Sequence, residues 1–116
     1  MKKIIVLISW SGDNFCAHAE VDGIVVDTNK SFEKLKKSFM DTLSFHVDGD
    51  IQDYDVRFVI TGSALLKINE ERIKRSTISK YTGINERQLG HYIQGKSQPR
   101  PETDRKIREG FKKIAE

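Results

Sequence analysis

The sequence predicts an α+β protein in which a βββαβ unit, residues 1–61, precedes an all-α unit, residues 62–116. Two observations support this prediction. Near the start of the chain, short runs rich in Val and Ile alternate with turn sequences, which is typical of a strand meander. After residue 61, apolar residues recur every three or four positions between capping residues and glycines, which is typical of short packed helices.

In the first unit, residues 4–10 and 15–21 read as two strands joined by the turn sequence Ser-Gly-Asp-Asn. The hairpin signal Asp22-Gly23 then leads into a third strand, residues 24–26. Ser31 is a good N-cap for a helix that runs to about residue 47. Its apolar stripe is formed by Phe32, Leu35, Phe39 and Leu43. Residues 54–60 alternate as a fourth strand, which completes the βββαβ order.

The second unit is organised around residues 76–95, STISKYTGINERQLGHYIQG. Ser76 is the predicted cap of a short helix, and Gly83 can end it in a left-handed conformation. Asn85 is the predicted cap of a second helix, with Gln88 completing a capping box and Gly95 ending the helix. The apolar stripe of this helix pair is predicted to be buried, and its members are Ile78, Tyr81, Ile84, Leu89, Tyr92 and Ile93.

This helix pair resembles the helix-turn-helix of the phage-repressor and Cro class, whose second helix enters the major groove. A structural helix corner with a glycine turn is the alternative interpretation. The resemblance implies base contacts by Glu86, Arg87 and His91, and phosphate or mixed contacts by Asn85 and Gln88. Gly90 departs from the class, because a larger polar residue is common there. A basic loop of Lys96, Ser97 and Arg100 follows, before Pro101 begins a last helix.

Flanking helices complete the predicted unit. Ser63 is the predicted cap of a helix before the motif, with an interruption at Asn69. The last helix, from residue 101 to 115, turns Ile107, Phe111 and Ile114 inward. Since repressors of this class pair two copies on adjacent half-sites, we expect at least a homodimer, with Phe111 and Ile114 as candidate contacts.

The net charge of +3 hides an asymmetry between the two parts of the chain. Residues 1–61 carry seven Lys and Arg against ten Asp and Glu, whereas residues 62–116 carry thirteen against seven. A basic part suits a polyanion, and an acidic part suits a basic protein surface. Uneven solvation is the alternative. The acidic stretch Asp48, Asp50, Asp53 and Asp55 is the best candidate for a surface that binds a basic partner.

One cysteine, Cys16, excludes an internal disulfide and fits a reducing cytoplasm, so we expect a cytoplasmic protein. The start of the chain imitates a secretory signal, but its apolar run stops at a turn sequence after residue 10. No stretch approaches the roughly 20 apolar residues that span a membrane.

Catalysis is not expected. A βββαβ unit is similar to a shortened ribonuclease H fold, whose two-metal chemistry needs a carboxylate on the first strand. Residues 3–10 contain no acid. Asp48, Asp50 and Asp53 lack the glycine and terminal glutamate of an EF-hand, and His18 and His46 lack zinc-site spacing. We therefore predict no catalytic residue, no metal and no cofactor.

Taken together, residues 3–115 resemble the HicB antitoxins of bacterial HicA-HicB toxin-antitoxin pairs. The matching features are the strand hairpin, the helix start Lys30-Ser31-Phe32-Glu33, and the repressor-type unit with GKSQPRP. The family's Pro-Asp-x-Pro-Gly segment appears here only as Glu20-Val21-Asp22-Gly23. The resemblance implies a non-catalytic, partial ribonuclease H-like domain that masks an RNA-cleaving, HicA-like toxin, followed by a helix-turn-helix domain that represses the operon.

Two other functions stay open at this point. A stand-alone transcriptional regulator would use the first unit for ligand sensing or dimerisation, and ligand sensing would need an apolar pocket. A divergent nuclease would need metal-dependent cleavage. A short basic reading frame beside this gene would favour the antitoxin.

Overall fold

The computed structural model describes residues 2–116, which form four strands and five α-helices. The elements are, in order, β1 (Lys2–Trp10), β2 (Phe15–Glu20), β3 (Ile24–Asn29), α1 (Phe32–His46), a 3₁₀ turn (Ile51–Asp53), β4 (Tyr54–Ile60), α2 (Gly62–Ile68), α3 (Arg75–Thr82), α4 (Glu86–Gln94) and α5 (Pro101–Ala115).

The four strands form one mixed sheet in the order β3-β2-β1-β4. β1 pairs in parallel with β4, from Lys2 opposite Tyr54 to Ile8 opposite Ile60, and β2 pairs antiparallel with β3. β3 is three residues longer than the apolar run predicted, because β2 offers backbone partners as far as Asn29. The sequence signal ended where apolar side chains ended, whereas pairing continues through polar residues.

One face of the sheet packs against α1. Alternate residues of β1 are buried on this face, and the intervening residues are exposed or half-buried. Ser31 caps α1 as predicted, its side chain accepting a hydrogen bond from the Lys34 amide at 3.3 Å. The helix buries Leu35, Phe39 and Leu43 completely, as the stripe predicted, whereas Phe32, the first residue of the predicted stripe, is half-buried.

The residues group into two compact units, and the grouping does not follow the chain. One unit comprises residues up to 8 together with Asn14–Ile60, and the other comprises Ser9–Asp13 together with Thr61–Glu116. The end of β1 and its turn thus belong with the helices. The predicted fold, a βββαβ domain followed by a separate all-α domain, is therefore wrong. The sequence signal failed because β1 reads as one uninterrupted strand, and nothing in it marks residues 9–13 as part of a helical core.

The helices of the second unit form around a buried cluster whose members are Leu66, Ile78, Leu89, Tyr92 and Ile107. Two predicted helix starts are wrong. Thr61 rather than Ser63 caps α2, and its hydroxyl accepts from the Ala64 amide at 3.4 Å. α3 begins at Arg75, before the predicted cap Ser76, and its N-cap residue Lys74 makes no side-chain capping hydrogen bond. Pro101 begins α5, as predicted.

Candidate nucleic-acid interface

The pair α3 and α4 is held together by the apolar residues between them. Ile78 on α3 and Leu89 and Tyr92 on α4 are buried in the helical cluster, and Ile84 in the turn packs against it. Tyr81, predicted to be buried, is 43% exposed, so that prediction is wrong. The buried residues of α3 are Ile78 and Thr82, four positions apart. The buried face of α3 is therefore narrower than the predicted apolar stripe, which also included Tyr81.

The turn between the two helices has the predicted conformation. Gly83 is left-handed, with φ of 75°, and its N–H donates to the Ser79 carbonyl at 2.9 Å. Asn85 caps α4, its side-chain oxygen accepting from the Gln88 amide at 2.8 Å. This is half of the predicted capping box, because the Gln88 side chain points elsewhere.

Gln88 instead ties the basic loop to α4. Its Nε2 donates to the Ser97 hydroxyl at 3.2 Å. Gly95 ends the helix with φ of 76°, and the Lys96 amide donates to the His91 carbonyl at 2.9 Å. These bonds hold the start of the 96–100 loop against α4.

All eight predicted DNA-contact residues lie between the N-cap of α4 and the N-cap of α5, and none is fully buried. Five are exposed and three are half-buried. The exposed residues are Asn85, Glu86, Arg87, Lys96 and Arg100, and the half-buried ones are Gln88, His91 and Ser97. Polar side chains of this kind are able to contact base edges, and cations such as Lys96 and Arg100 are able to contact phosphates.

Arg75 is a further residue of this surface that the sequence did not reveal. Its guanidinium lies over Gly90, with Nη1 2.8 Å from the point where a Cβ of residue 90 would be. Arg75 and Glu86 also line one recess of about 240 Å³ between the α2–α3 segment and α4. The arginine therefore occupies the position that Gly90 leaves empty. The sequence does show a basic cluster here, because Arg75 follows Arg72 and Lys74. The predicted helix cap at Ser76, however, left Arg75 outside α3.

The end of β1 supports α4 from within the same unit. The Trp10 indole Nε1 donates to the Ile93 carbonyl at 2.7 Å, and the Lys67 ammonium lies 5.2 Å from the centre of the indole ring. At Gly12, a Cβ would lie 2.7 Å from the Gln94 carbonyl oxygen, so only glycine fits there. α4 is thus anchored near its C-terminal end by a strand residue 83 positions away.

Two of the four carboxylates in the predicted acidic surface already have partners within the chain. Asp50 caps the 3₁₀ turn by accepting from the Gln52 amide at 2.9 Å, and Asp55 pairs with Arg57 at 3.1 Å. Asp48 and Asp53 are exposed. Among residues 2–116, no group of three or more His, Cys, Asp or Glu side chains is placed to hold a metal ion.

No family model matches the sequence, and comparisons with curated proteins and with solved structures found no significant match. None of the helices formed by residues 2–116 has the length and apolar character needed to cross a bilayer.

Proposed function

We propose that this chain is a cytoplasmic DNA-binding repressor of the HicB antitoxin type, which also masks an RNA-cleaving, HicA-like toxin. The observation that carries the proposal is the α3–α4 corner, where a capped helix carries exposed Glu86 and Arg87 and half-buried His91, and a basic loop is tethered to it. The sequence resemblance to HicB supplies the toxin partner.

The chemistry of the corner supports base reading by α4. An exposed Arg near a helix N-terminus can donate two hydrogen bonds to guanine O6 and N7, and an exposed Glu can accept from cytosine N4. We infer that the exposed cations Lys96 and Arg100 contact phosphates, which would fix register without sequence preference. Arg75 adds a third cation at the start of α3.

Titrations of DNA from the gene's own promoter test this function. Arg87→Ala should cost about 1 to 3 kcal/mol on the specific site and reduce sequence preference, because it removes a base contact. Lys96→Ala should weaken all sequences alike and make the salt dependence shallower by about one counterion. The matched control is Arg105→Ala, because Arg105 is an exposed cation on α5 that pairs with Glu109 at 3.1 Å. If Arg87→Ala and Arg105→Ala bind the promoter equally well, α4 is not the reading helix.

The antitoxin role is supported by the acidic balance of residues 1–61 and by the lack of any acid in β1 between Lys3 and Trp10. A basic toxin should be attracted to exposed carboxylates such as Asp48 and Asp53. The test is co-purification with the product of the short basic reading frame beside this gene. Asp48→Lys with Asp53→Lys should release that product, whereas Asp41→Lys on the exposed side of α1 should not.

A stand-alone regulator is the second candidate, and one observation favours it. The face of the sheet away from α1 carries exposed aliphatic side chains, which suit a dimerisation surface. If the chain binds its promoter but does not bind the product of the neighbouring gene, the result favours the stand-alone regulator over the antitoxin.

A further inference from the structure

The strand β4 lies at an edge of the sheet, because the strand order is β3-β2-β1-β4. Within residues 2–116 it therefore has no strand on its outer side. The outer backbone N–H and C=O groups of such a strand can pair with another extended chain, and many natural edges are blocked by proline, lysine or a bulge. β4 has the sequence YDVRFVI, which contains no proline, glycine or lysine. Its outer edge is thus suited to pairing.

The apolar side chains of β4 are incompletely covered. In the parallel register Val56 lies beside Ile4 and Phe58 lies beside Val6, on the face that packs against α1. Ile4 and Val6 are buried, whereas Val56 and Phe58 are half-buried. The layer that covers β1 therefore leaves β4 partly open, and a further strand beside β4 would bury more of these side chains.

The side chains of β4 are complementary to those of a second β4 in one register. From Tyr54 to Phe58 the order is aromatic, acidic, aliphatic, basic, aromatic. If two copies pair antiparallel with Val56 opposite the partner's Val56, Asp55 lies opposite the partner's Arg57, and Tyr54 lies opposite the partner's Phe58. Opposite charges and aromatic pairs at such positions stabilise antiparallel strands. The axis is twofold, so each contact occurs twice.

The two charged groups are available for this contact. Arg57 Nε lies 3.1 Å from Asp55 Oδ2 within the chain, and the two side chains are 59% and 33% exposed. A guanidinium has five N–H donors, so Arg57 can keep this partner and accept a second carboxylate. Across the twofold axis the two arginines and two aspartates then alternate in sign, and no like charges lie directly opposite each other.

The other edge strand of the sheet lacks this complementarity. β3 has the sequence IVVDTN, in which Asp27 is the single charged residue, so two β3 strands would offer no cation to face it. Asp27 also has partners within the chain, since it accepts from the Ser38 hydroxyl at 2.9 Å and from the Thr28 amide at 2.8 Å. The charge pattern thus selects β4 as the edge that fits a second copy.

We propose that a second copy of this chain docks along the outer edge of β4, the two strands pairing antiparallel about Val56 with Asp55 opposite the partner's Arg57. The two sheets then join into one continuous sheet, and the face away from α1 stays uncovered. The contacts predicted from sequence, Phe111 and Ile114, pack against the helical cluster within the chain. The proposal concerns self-association alone and does not depend on binding to DNA or to a toxin.

Charge reversal tests the register by sedimentation velocity from about 5 to about 500 µM. One strand pair buries less than about 1,200 Å², so the dimer should dissociate in the micromolar range. Asp55→Arg or Arg57→Asp alone should raise the dissociation constant about tenfold, because like charges then lie opposite each other twice, and the two changes together should restore it. Glu20→Arg is the control, because β1 separates its strand from β4. It should leave the constant unchanged.

Mixing the two single variants separates this edge from any other interface. A copy with two arginines on β4 fits a copy with two aspartates, so an equimolar mixture of Asp55→Arg and Arg57→Asp should form more heterodimer than either homodimer in native mass spectrometry. Circular dichroism melting checks that each variant folds. If a reversal lowers the Tm, Asp55→Asn and Arg57→Gln replace the reversals in sedimentation, and each should weaken the dimer by a smaller factor.

A micromolar dimer that the single changes weaken, with heterodimer in excess in the mixture, supports the proposal. A chain that is monomeric up to about 500 µM, a dimer that changes at Asp55 and Arg57 leave intact, or a mixture without excess heterodimer would each overturn it.

Discussion

Two glycines inside helices should respond in opposite ways to the same substitution. Each Gly→Ala change in a helix interior gains about 1 kcal/mol from the lower entropy of the unfolded chain and better helix propensity. At Gly90, the new methyl group meets only the tip of Arg75, at 2.8 Å from Nη1, and a flexible exposed side chain can move aside. Gly90→Ala should therefore raise the free energy of unfolding by up to about 1 kcal/mol.

At Gly110, the same methyl group would lie 2.6 Å from Cγ2 of Thr82. Thr82 is buried, and its hydroxyl donates to the Ile78 carbonyl at 2.8 Å and accepts from the Ile84 amide at 3.2 Å, so it cannot turn away cheaply. Overpacking of this kind costs about 1 to 3 kcal/mol, which outweighs the gain in helix propensity. We expect Gly110→Ala to lose about 1 kcal/mol net.

Thermal unfolding followed by circular dichroism measures both variants against the natural chain. The difference between them, about 2 kcal/mol, corresponds to roughly 8 °C in Tm for a chain of this size. Gly110→Ala that melts at or above the natural chain would refute the packing argument. Gly90→Ala that melts well below it would show that Arg75 is held in place rather than free to move.

Three further substitutions test the supports of α4, each by urea denaturation. Asn85→Ala removes the cap to the Gln88 amide and should cost about 0.5 to 2 kcal/mol, while Asn85→Ser should retain most of the stability. Trp10→Phe leaves the Ile93 carbonyl without its indole donor and should cost about 1 to 3 kcal/mol. Gly95→Ala forces a side chain into a left-handed residue and against the Ser11 carbonyl, so it should cost at least about 2 kcal/mol. If one of these variants is as stable to urea as the natural chain, the contact that its substitution removes does not stabilise the fold.

Local signals predicted the elements that carry the candidate DNA site. The left-handed Gly83 and Gly95 and the cap Asn85 were readable because each is a property of one or two residues and needs no distant partner. The same holds for Ser31 at the start of α1 and Pro101 at the start of α5. Whether this corner binds DNA stays a prediction.

Features that depend on distant partners were missed. The start of α3 is decided by packing, because Lys74 precedes it without any side-chain cap, and the sequence therefore favoured the better capping residue Ser76. The end of β1 joins the helices through Trp10 and Ile93, which are far apart in sequence and carry no shared pattern. The position of Arg75 over Gly90 likewise depends on how two helices cross.

The place of residues 9–13 decides how the function should be tested. Cutting the chain after residue 61 would leave Trp10 in one fragment and Ile93 in the other, so the helical fragment would lose the indole donor that holds the end of α4. The turn at Gly12, which only glycine can form against the Gln94 carbonyl, would be lost with it. Weak DNA binding by such a fragment would report damage to α4 rather than the absence of a DNA site. Point substitutions in the full chain, with Arg87 compared against Arg105, change a single surface cation and leave that support in place, because both side chains are exposed.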